Sequence, residues 1–278
     1  MMDGGINNRL ESLKTQVVDD HLRQGRRIRL STLAVRVLIV ASVLTVWEMA
    51  SGRLLDPFFF TSPSAIVRQT IQWIRSGTLW FHLQFTLLEL SLGYLLGSVT
   101  ALFSAFALGI LFFFYEIVEP FVLIAYSIPA IALGPLIIMW LGIDLLPKVL
   151  LTAFFVFFII FMNTVRAIRN VDPGLLNMAK TLGAGRRMII FKIILPAIWP
   201  FVLTSLALAV PDAVIGAVVG EFIASYRGIA FLIALSSAKY RTAGVFAALI
   251  VLAVVVVIVN YSVSFLMRFL AKRAVGMR

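Results

Sequence analysis

The sequence predicts an all-α membrane protein with six transmembrane helices. Of its 278 residues, 61% are hydrophobic and only 13% are charged, and the mean hydropathy is +1.02. A soluble domain of this size does not need so much apolar surface. The apolar residues fall into six runs near the length of about 20 residues that crosses a bilayer as a helix. The predicted spans are residues 33–52, 84–108, 117–141, 146–165, 200–222 and 244–267.

The basic residues predict the orientation of these spans. Residues 1–30 are too long and too charged for a cleaved signal peptide, so we expect an N-terminal tail followed by a membrane domain over 31–272. An even number of spans puts this tail, the 166–199 loop and the C-terminal tail (273–278) on one side. Counted together with Arg36, Arg268 and Lys272, which flank these segments, that side carries 17 of the 24 Lys and Arg residues, and the other carries seven, including Lys148. The positive-inside rule then places both termini in the cytoplasm of a bacterial inner membrane.

Several kinds of chemistry are excluded by composition. The chain has no cysteine, and its two histidines, His21 and His82, lie in different segments, so neither a metal site nor a nucleophilic triad is expected. A phosphate-binding Gly-x-x-x-x-Gly-Lys-Ser/Thr loop is missing from the sequence. The basic residues that give the net charge of +11 cluster beside apolar spans, which indicates membrane orientation rather than nucleic-acid binding. We therefore predict a non-enzymatic chain that binds no cofactor.

The loop between the fourth and fifth spans predicts two short helices. Asp172 can cap a helix that starts at Pro173, and Gly183 can end it. A second helix is expected over 185–195, where Pro196 ends it or bends it into the next span. The first helix has one apolar stripe, formed by Leu175, Met178, Ala179 and Leu182. A small residue such as Ala179 would let a partner approach closely, although an amphipathic helix lying on the membrane explains the pattern as well.

This loop resembles the EAA loop of binding-protein-dependent ABC importer permeases. The family pattern is Glu-Ala-Ala, three residues, Gly, nine residues, Ile, one residue and Leu-Pro. In this chain Asn177 replaces the Glu and Met178 replaces the first Ala. The matching positions are Ala179, Gly183, Ile193, Leu195 and Pro196. Further stretches between about 60 and 270, such as Ser62-Pro63-Ser64, are similar to the nitrate, sulfonate and taurine branch, in which an acidic residue like Glu221 often closes the fifth span.

The resemblance implies a type I ABC importer permease and its partners. Two copies would pair around one path, two ATPase subunits carrying ATP and Mg²⁺ would bind on the cytoplasmic side, and a periplasmic binding protein would deliver the substrate. The transported molecule would be a small anion such as a sulfonate, nitrate or aromatic carboxylate. The contact with the ATPase would use the 173–196 loop. Its predicted coupling residues are Asn177, Met178, Ala179, Lys180, Thr181, Leu182, Gly183 and Ala184.

Prolines and one carboxylate inside the spans suggest where the path runs. Pro129 and Pro135 interrupt the third predicted span and Pro211 interrupts the fifth, and broken helices occur in membranes where the backbone lines a cavity. An intramembrane carboxylate is costly, so Asp212 is expected to face the bundle interior. The predicted path residues are Ser127, Pro129, Pro211 and Asp212, with packing kinks as the alternative interpretation.

Small residues predict where two helices pack closely. Gly93 and Gly97 are four residues apart in the second span, a spacing that suits close helix–helix contact. They say nothing about the transported molecule.

Three other functions remain open from the sequence. The same machinery could import a vitamin precursor, such as a thiamine pyrimidine or a riboflavin-like compound. An autonomous secondary transporter or channel would need no ATPase, but it is often built from inverted repeats with paired broken helices, and the sequence has no convincing repeat. A membrane scaffold that transports nothing is disfavoured by the EAA-like loop.

Overall fold

The computed structural model describes residues 32, 34–54, 56, 58–223 and 225–276. Across these residues the chain is helical with short connecting turns, and it forms no β-strand there, as the fold class predicts. The predicted N-terminal tail, residues 1–30, lies outside the described residues. The chain divides into two units, Met1–Ala65 and Ile66–Arg278.

The first unit contains a helix and the start of a second. Helix α1 covers 34–50 within the predicted first span, and helix α2 is Pro63–Arg75. Glu48 accepts hydrogen bonds from the backbone N–H and the hydroxyl of Ser64, at 2.9 and 2.7 Å. The Ser62 hydroxyl accepts from the N–H of Ala65 at 3.3 Å, so Ser62 caps α2. The acidic group of Glu48 therefore holds the turn before α2.

In the second unit, α3 (Thr78–Ile110) and α6 (Leu145–Arg169) pack against each other through small residues. A Cβ atom added to Gly93 would lie 2.3 Å from the Cβ of Thr152, and one added to Gly97 would lie 2.6 Å from the backbone oxygen of Ala153. The predicted close contact at these glycines is confirmed. The main core lies where α3 and α6 meet the later helices, and its buried members include Leu90, Ala101, Val156, Ile160, Phe161, Ala213 and Ala217.

The third predicted span, 117–141, is not one continuous helix. It is formed by α4 (Phe112–Ser127) and α5 (Ala130–Leu141), which meet at an angle of 92°. The break occurs because Pro129 disfavours helical backbone at the preceding residue, and Ile128 is extended, with φ −68° and ψ 124°. Pro135, also predicted to interrupt the span, lies inside α5. One of these two prolines breaks the helix and the other does not.

The predicted helix over 185–195 does not end at Pro196 but continues into the next span. One long helical span runs from Arg186 to Ile223, interrupted by a turn at Ala209, two residues before Pro211, where the sequence predicts an interruption. It includes α8 (Arg186–Ile189), a π-helical turn (Ile190–Ile194), α9 (Leu195–Leu208) and α10 (Val210–Ile223). Proline in a helix crowds the carbonyl group four residues earlier, and the wider π turn just before Pro196 relieves that crowding. The fifth span therefore starts well before residue 200.

Two further helices complete the second unit, α11 (Ile229–Ala238) and α12 (Thr242–Gly276). Helix α12 extends beyond the predicted sixth span, 244–267, at both ends. Within the described part of the chain, four helices are long and apolar enough to cross a membrane, or five if α4 and α5 form one broken span. The predicted count of six is therefore confirmed only in part, because α1 is described over 17 residues.

Candidate functional site

The predicted first helix of the loop is present as α7, Pro173–Thr181. The Asp172 carboxylate accepts a hydrogen bond from the N–H of Gly174 at 2.8 Å, and Pro173 opens the helix. The proline loses no hydrogen bond here because the first N–H groups of a helix have no partner within it. The start of α7 is thus fixed by local contacts, as the sequence predicts.

Gly183 ends α7 by taking a left-handed backbone conformation, with φ +82°. Its N–H donates to the carbonyl of Lys180 at 2.9 Å, and the N–H of Ala184 donates to the carbonyl of Ala179 at 3.0 Å. This pair of bonds is the Schellman motif that commonly closes a helix before a glycine. The predicted stop is confirmed, and it sets the direction in which the chain leaves α7.

One side of α7 is buried where the sequence predicts a surface for a partner. Ala179 is buried, with 8% of its surface exposed, so it packs against its own chain rather than offering room to a partner. On the opposite side, Met178 is 57% and Leu182 is 79% exposed. The outward apolar surface is therefore formed by Met178 and Leu182.

The inward side of α7 is anchored to the membrane helices. Leu176 packs on a buried cluster that joins the end of α6 to α9, with Ile168, Val171, Ile198 and Val202 as its members. These contacts link the loop to two spans at once. A force applied to the outer face of α7 would therefore reach both helices through close-packed side chains.

The other predicted coupling residues lie on the surface. Asn177, Lys180, Thr181 and Gly183 are exposed, and Ala184 is half-buried. The Thr181 hydroxyl donates to the carbonyl of Asn177 at 3.1 Å, a bond within α7. The Asn side chain in place of the family Glu thus points out from the same exposed turn.

The predicted path residues lie at two separate helix junctions. Ser127 and Pro129 stand at the break between α4 and α5, and the Ser127 hydroxyl donates to the carbonyl of Leu123 at 2.7 Å. Pro211 and Asp212 are in the first turn of α10. The first three are exposed and Asp212 is half-buried. Their role in a translocation path stays a prediction.

A buried ion pair was missed by sequence reasoning. Lys148 was counted among the basic residues of the outer side, but it lies in the first turn of α6 with 5% of its surface exposed. Its ammonium group forms a salt bridge with Glu89 of α3, whose side chain is fully buried, and donates to the Ser225 hydroxyl at 3.0 Å. A lysine near the start of an apolar run was the signal for a buried charge. The sequence could not name its partner, because Glu89 lies 59 residues earlier.

A second carboxylate, Glu221, extends this buried group. It accepts from the hydroxyl of Thr86 and from the N–H of Ala230, both at 2.6 Å. Thr86 also accepts from the N–H of Ile229 at 2.8 Å. Glu221 and Thr86 thus each satisfy one free N–H group at the start of α11, where a negative charge is favoured. The cluster holds α3, α6, α10 and α11 together.

The glycine that precedes α11 makes this arrangement possible. Gly228 has φ +110°, and a Cβ atom added there would lie 2.0 Å from the carboxyl carbon of Glu221. Its N–H donates to Nδ1 of His82 at 3.1 Å. The predicted acidic residue at the end of the fifth span is therefore a buried structural group that seats the next helix.

Comparison with known proteins now identifies the family. Residues 93–276 match the family described as the binding-protein-dependent transport system inner membrane component. The chain belongs to this family. It is a multi-pass membrane subunit of the ABC importer permease class, as the EAA-like loop indicates. The matched region contains α7, the Schellman turn and Glu221, whereas Thr86, which donates to Glu221, lies before it.

Two permeases are similar to this chain over most of their length. It is 32% identical to a protein named as a putative aliphatic sulfonates transport permease, SsuC, of Bacillus subtilis, over 85% of this chain and 86% of the relative. It is also 32% identical to the formylaminopyrimidine transport permease ThiX of Halalkalibacterium halodurans, over 77% of this chain and 86% of the relative.

The structural likeness supports the fold alone. A chain of the MetNI methionine ABC transporter, solved in inward-facing conformations, matches with a TM-score of 0.54 and 19% identity. The match covers 68% of this chain and 93% of that chain. The permease architecture predicted from the sequence is therefore supported by its fold as well as by its family.

Proposed function

We propose that this chain forms the translocation path for a small anion of the sulfonate, nitrate or aromatic carboxylate type. A periplasmic binding protein delivers the anion, and two ATPase subunits drive transport from the cytoplasmic side. The similarity to SsuC, named for aliphatic sulfonates, supports the substrate class. ATP and Mg²⁺ are held by the ATPase subunits, and two copies of this chain enclose the path.

The geometry of α7 carries the proposal. Its outer surface offers Met178 and Leu182 to a soluble partner, and its inner surface packs through Leu176 against the buried cluster that joins α6 to α9. A short helix held in this way transmits a displacement instead of absorbing it, because close-packed interfaces move as rigid bodies. Closure of the ATPase pair would push α7 and tilt the spans. The path then alternates between its inward-open and outward-open states.

The orientation follows from the basic residues. Lys148 is buried in an ion pair, so the outer side keeps six surface Lys and Arg residues against 17 on the side of α7. This larger bias supports a cytoplasmic loop and cytoplasmic N and C termini in a bacterial inner membrane.

Replacement of Gly183 tests the coupling role. A Cβ at this position meets nothing within 4 Å, so only the backbone conformation limits the side chain. Gly183→Val should abolish substrate-stimulated ATP hydrolysis in the reconstituted complex, because a β-branched residue strongly disfavours φ +82°. The matched control is Gly183→Asn, because asparagine tolerates this conformation and should keep most of the stimulation. Full stimulation with valine, or equal loss with asparagine, contradicts the coupling role.

A vitamin precursor is the second candidate substrate, favoured by the similarity to ThiX. The two candidates are separated by purifying the companion binding protein and identifying its bound ligand by mass spectrometry. A sulfonate or another small anion supports the first proposal, and a pyrimidine supports the second. Uptake of either ligand by vesicles that contain this chain but no ATPase would contradict both and favour an autonomous transporter.

A further inference from the structure

A cavity of about 710 Å³ lies between the coupling loop and the ends of α3 and α6. Its lining combines aliphatic side chains with basic ones, and none of the acidic side chains that the structure describes belongs to it. The aliphatic residues include Ile110, Ile168, Leu176, Ile189, Ile190 and Ile194. The basic residues are Arg169, Lys180 and Arg186.

The three basic side chains do not contribute equally to the charge of the cavity. The Arg169 guanidinium lies 3.8 Å from the carboxylates of Glu116 and Glu119 and 4.9 Å from the centre of the Tyr115 ring. Its charge is therefore offset by its neighbours. Lys180 and Arg186 are exposed, and across the described ranges neither forms a salt bridge. The cavity thus keeps uncompensated positive charge at these two residues.

The position of the cavity also limits the kind of ligand that it can bind. Ile110 ends α3, Arg169 ends α6, and Arg186 begins the long helix that runs to Ile223. The ends of membrane helices lie at the boundary between hydrocarbon and water. A small soluble anion needs no aliphatic wall, but the wall here continues through Ile190 and Ile194 into a membrane helix. The lining therefore suits a ligand that is anionic at one end and apolar at the other.

We propose that this cavity binds one anionic phospholipid. The phosphate group lies between Lys180 and Arg186, and an acyl chain follows the isoleucines of the π-helical turn. Basic pockets between membrane helices on the cytoplasmic side bind anionic headgroups in this way. Because Lys180 belongs to α7 and Ile168 to α6, the lipid bridges the coupling loop and the bundle. This ligand is separate from the transported substrate.

Lipid binding to the full-length chain tests the proposal. The detergent-purified chain is titrated with phosphatidylglycerol and, separately, with phosphatidylethanolamine of the same acyl chains, and adducts are counted by native mass spectrometry. We expect one phosphatidylglycerol per chain, bound at least about 10-fold more tightly than phosphatidylethanolamine. Lys180→Gln/Arg186→Gln should weaken phosphatidylglycerol about 30-fold, at about 1 kcal/mol for each basic residue near an anionic headgroup.

A matched variant removes the same charge outside the cavity. Arg187→Gln/Lys192→Gln changes two exposed basic residues of the same segment that do not line the cavity, and it should keep the tight binding. Circular dichroism and thermal melting check that both variants fold. Equal binding of the two lipids, or equal weakening by the two variants, overturns the proposal in favour of general charge attraction.

The remaining outcomes identify other occupants. Displacement of phosphatidylglycerol by inorganic phosphate at millimolar concentration shows a simple phosphate site and overturns the lipid assignment. The assignment is also overturned if Lys180→Gln/Arg186→Gln leaves lipid binding unchanged but prevents copurification of the ATPase, because the two side chains then serve a protein contact.

Discussion

Removal of the buried lysine should cost more stability than removal of any exposed charge in this chain. Lys148 is 5% exposed and its partner Glu89 is fully buried, so Lys148→Met leaves a carboxylate in the core without its cation. Breaking one side of such a pair typically costs about 3–5 kcal/mol. The exposed Lys239 provides the control, and Lys239→Met should change the free energy of unfolding by no more than about 0.5 kcal/mol.

A double variant separates the ion pair from simple packing. Glu89→Met/Lys148→Met replaces both charged groups with apolar side chains of similar size, which is often neutral or stabilising. We expect its free energy of unfolding to lie within about 1 kcal/mol of the native value, so the two changes should couple strongly. The measurement is reversible unfolding by SDS in mixed micelles, followed by circular dichroism. The reasoning is refuted if Lys148→Met costs less than about 1 kcal/mol, or if the double variant loses the sum of both single losses.

Three further predictions use other parts of the structure. Gly97→Ala should destabilise the chain by about 1–3 kcal/mol, because the added Cβ would lie 2.6 Å from a backbone oxygen of α6. The control Gly185→Ala should be nearly neutral, because a Cβ at that position meets nothing within 4 Å. Equal melting temperatures of the two variants would contradict the close packing. Asp172→Ala should remove the cap of α7 and destabilise this helix by about 1 kcal/mol, whereas Asp172→Asn should keep most of the capping stabilisation. The measurement is amide hydrogen exchange in α7, and equal exchange rates in the two variants argue against the cap. Cysteines introduced at Lys180 and Tyr240 should react with an impermeant reagent from opposite faces of the membrane, and labelling of both from one face would contradict the orientation.

The sequence predicted the parts of the loop that depend on neighbours along the chain. The Asp172 cap and the Gly183 stop each involve atoms within five residues, so residue type and spacing were enough to predict both. The apolar runs predicted the membrane helices because the length of a continuous apolar segment can be read directly along the chain. The EAA-like spacing then indicated the family, and the match over 93–276 confirms it.

Some predictions failed because residue type alone does not show which side chains are buried or how the backbone accommodates a proline. Ala179 was expected to let a partner approach closely, but it is buried within its own chain. Pro196 was expected to end a helix or bend it into the next span, and it does not end the helix, which continues through a π-helical turn. Pro129 and Pro135 look alike in the sequence, yet only Pro129 breaks the span.

The sequence by itself determined a helical membrane protein, the side on which its basic residues gather, and a short capped helix in the main loop. Only the tertiary structure decided that Lys148 pairs with Glu89, 59 residues away, and that Glu221 accepts from Thr86, 135 residues away. Apolar length and helix caps act over a few residues, so they can be read along the chain. A buried charge needs a partner in space, and the fold alone determines which of the polar residues in the chain comes within reach.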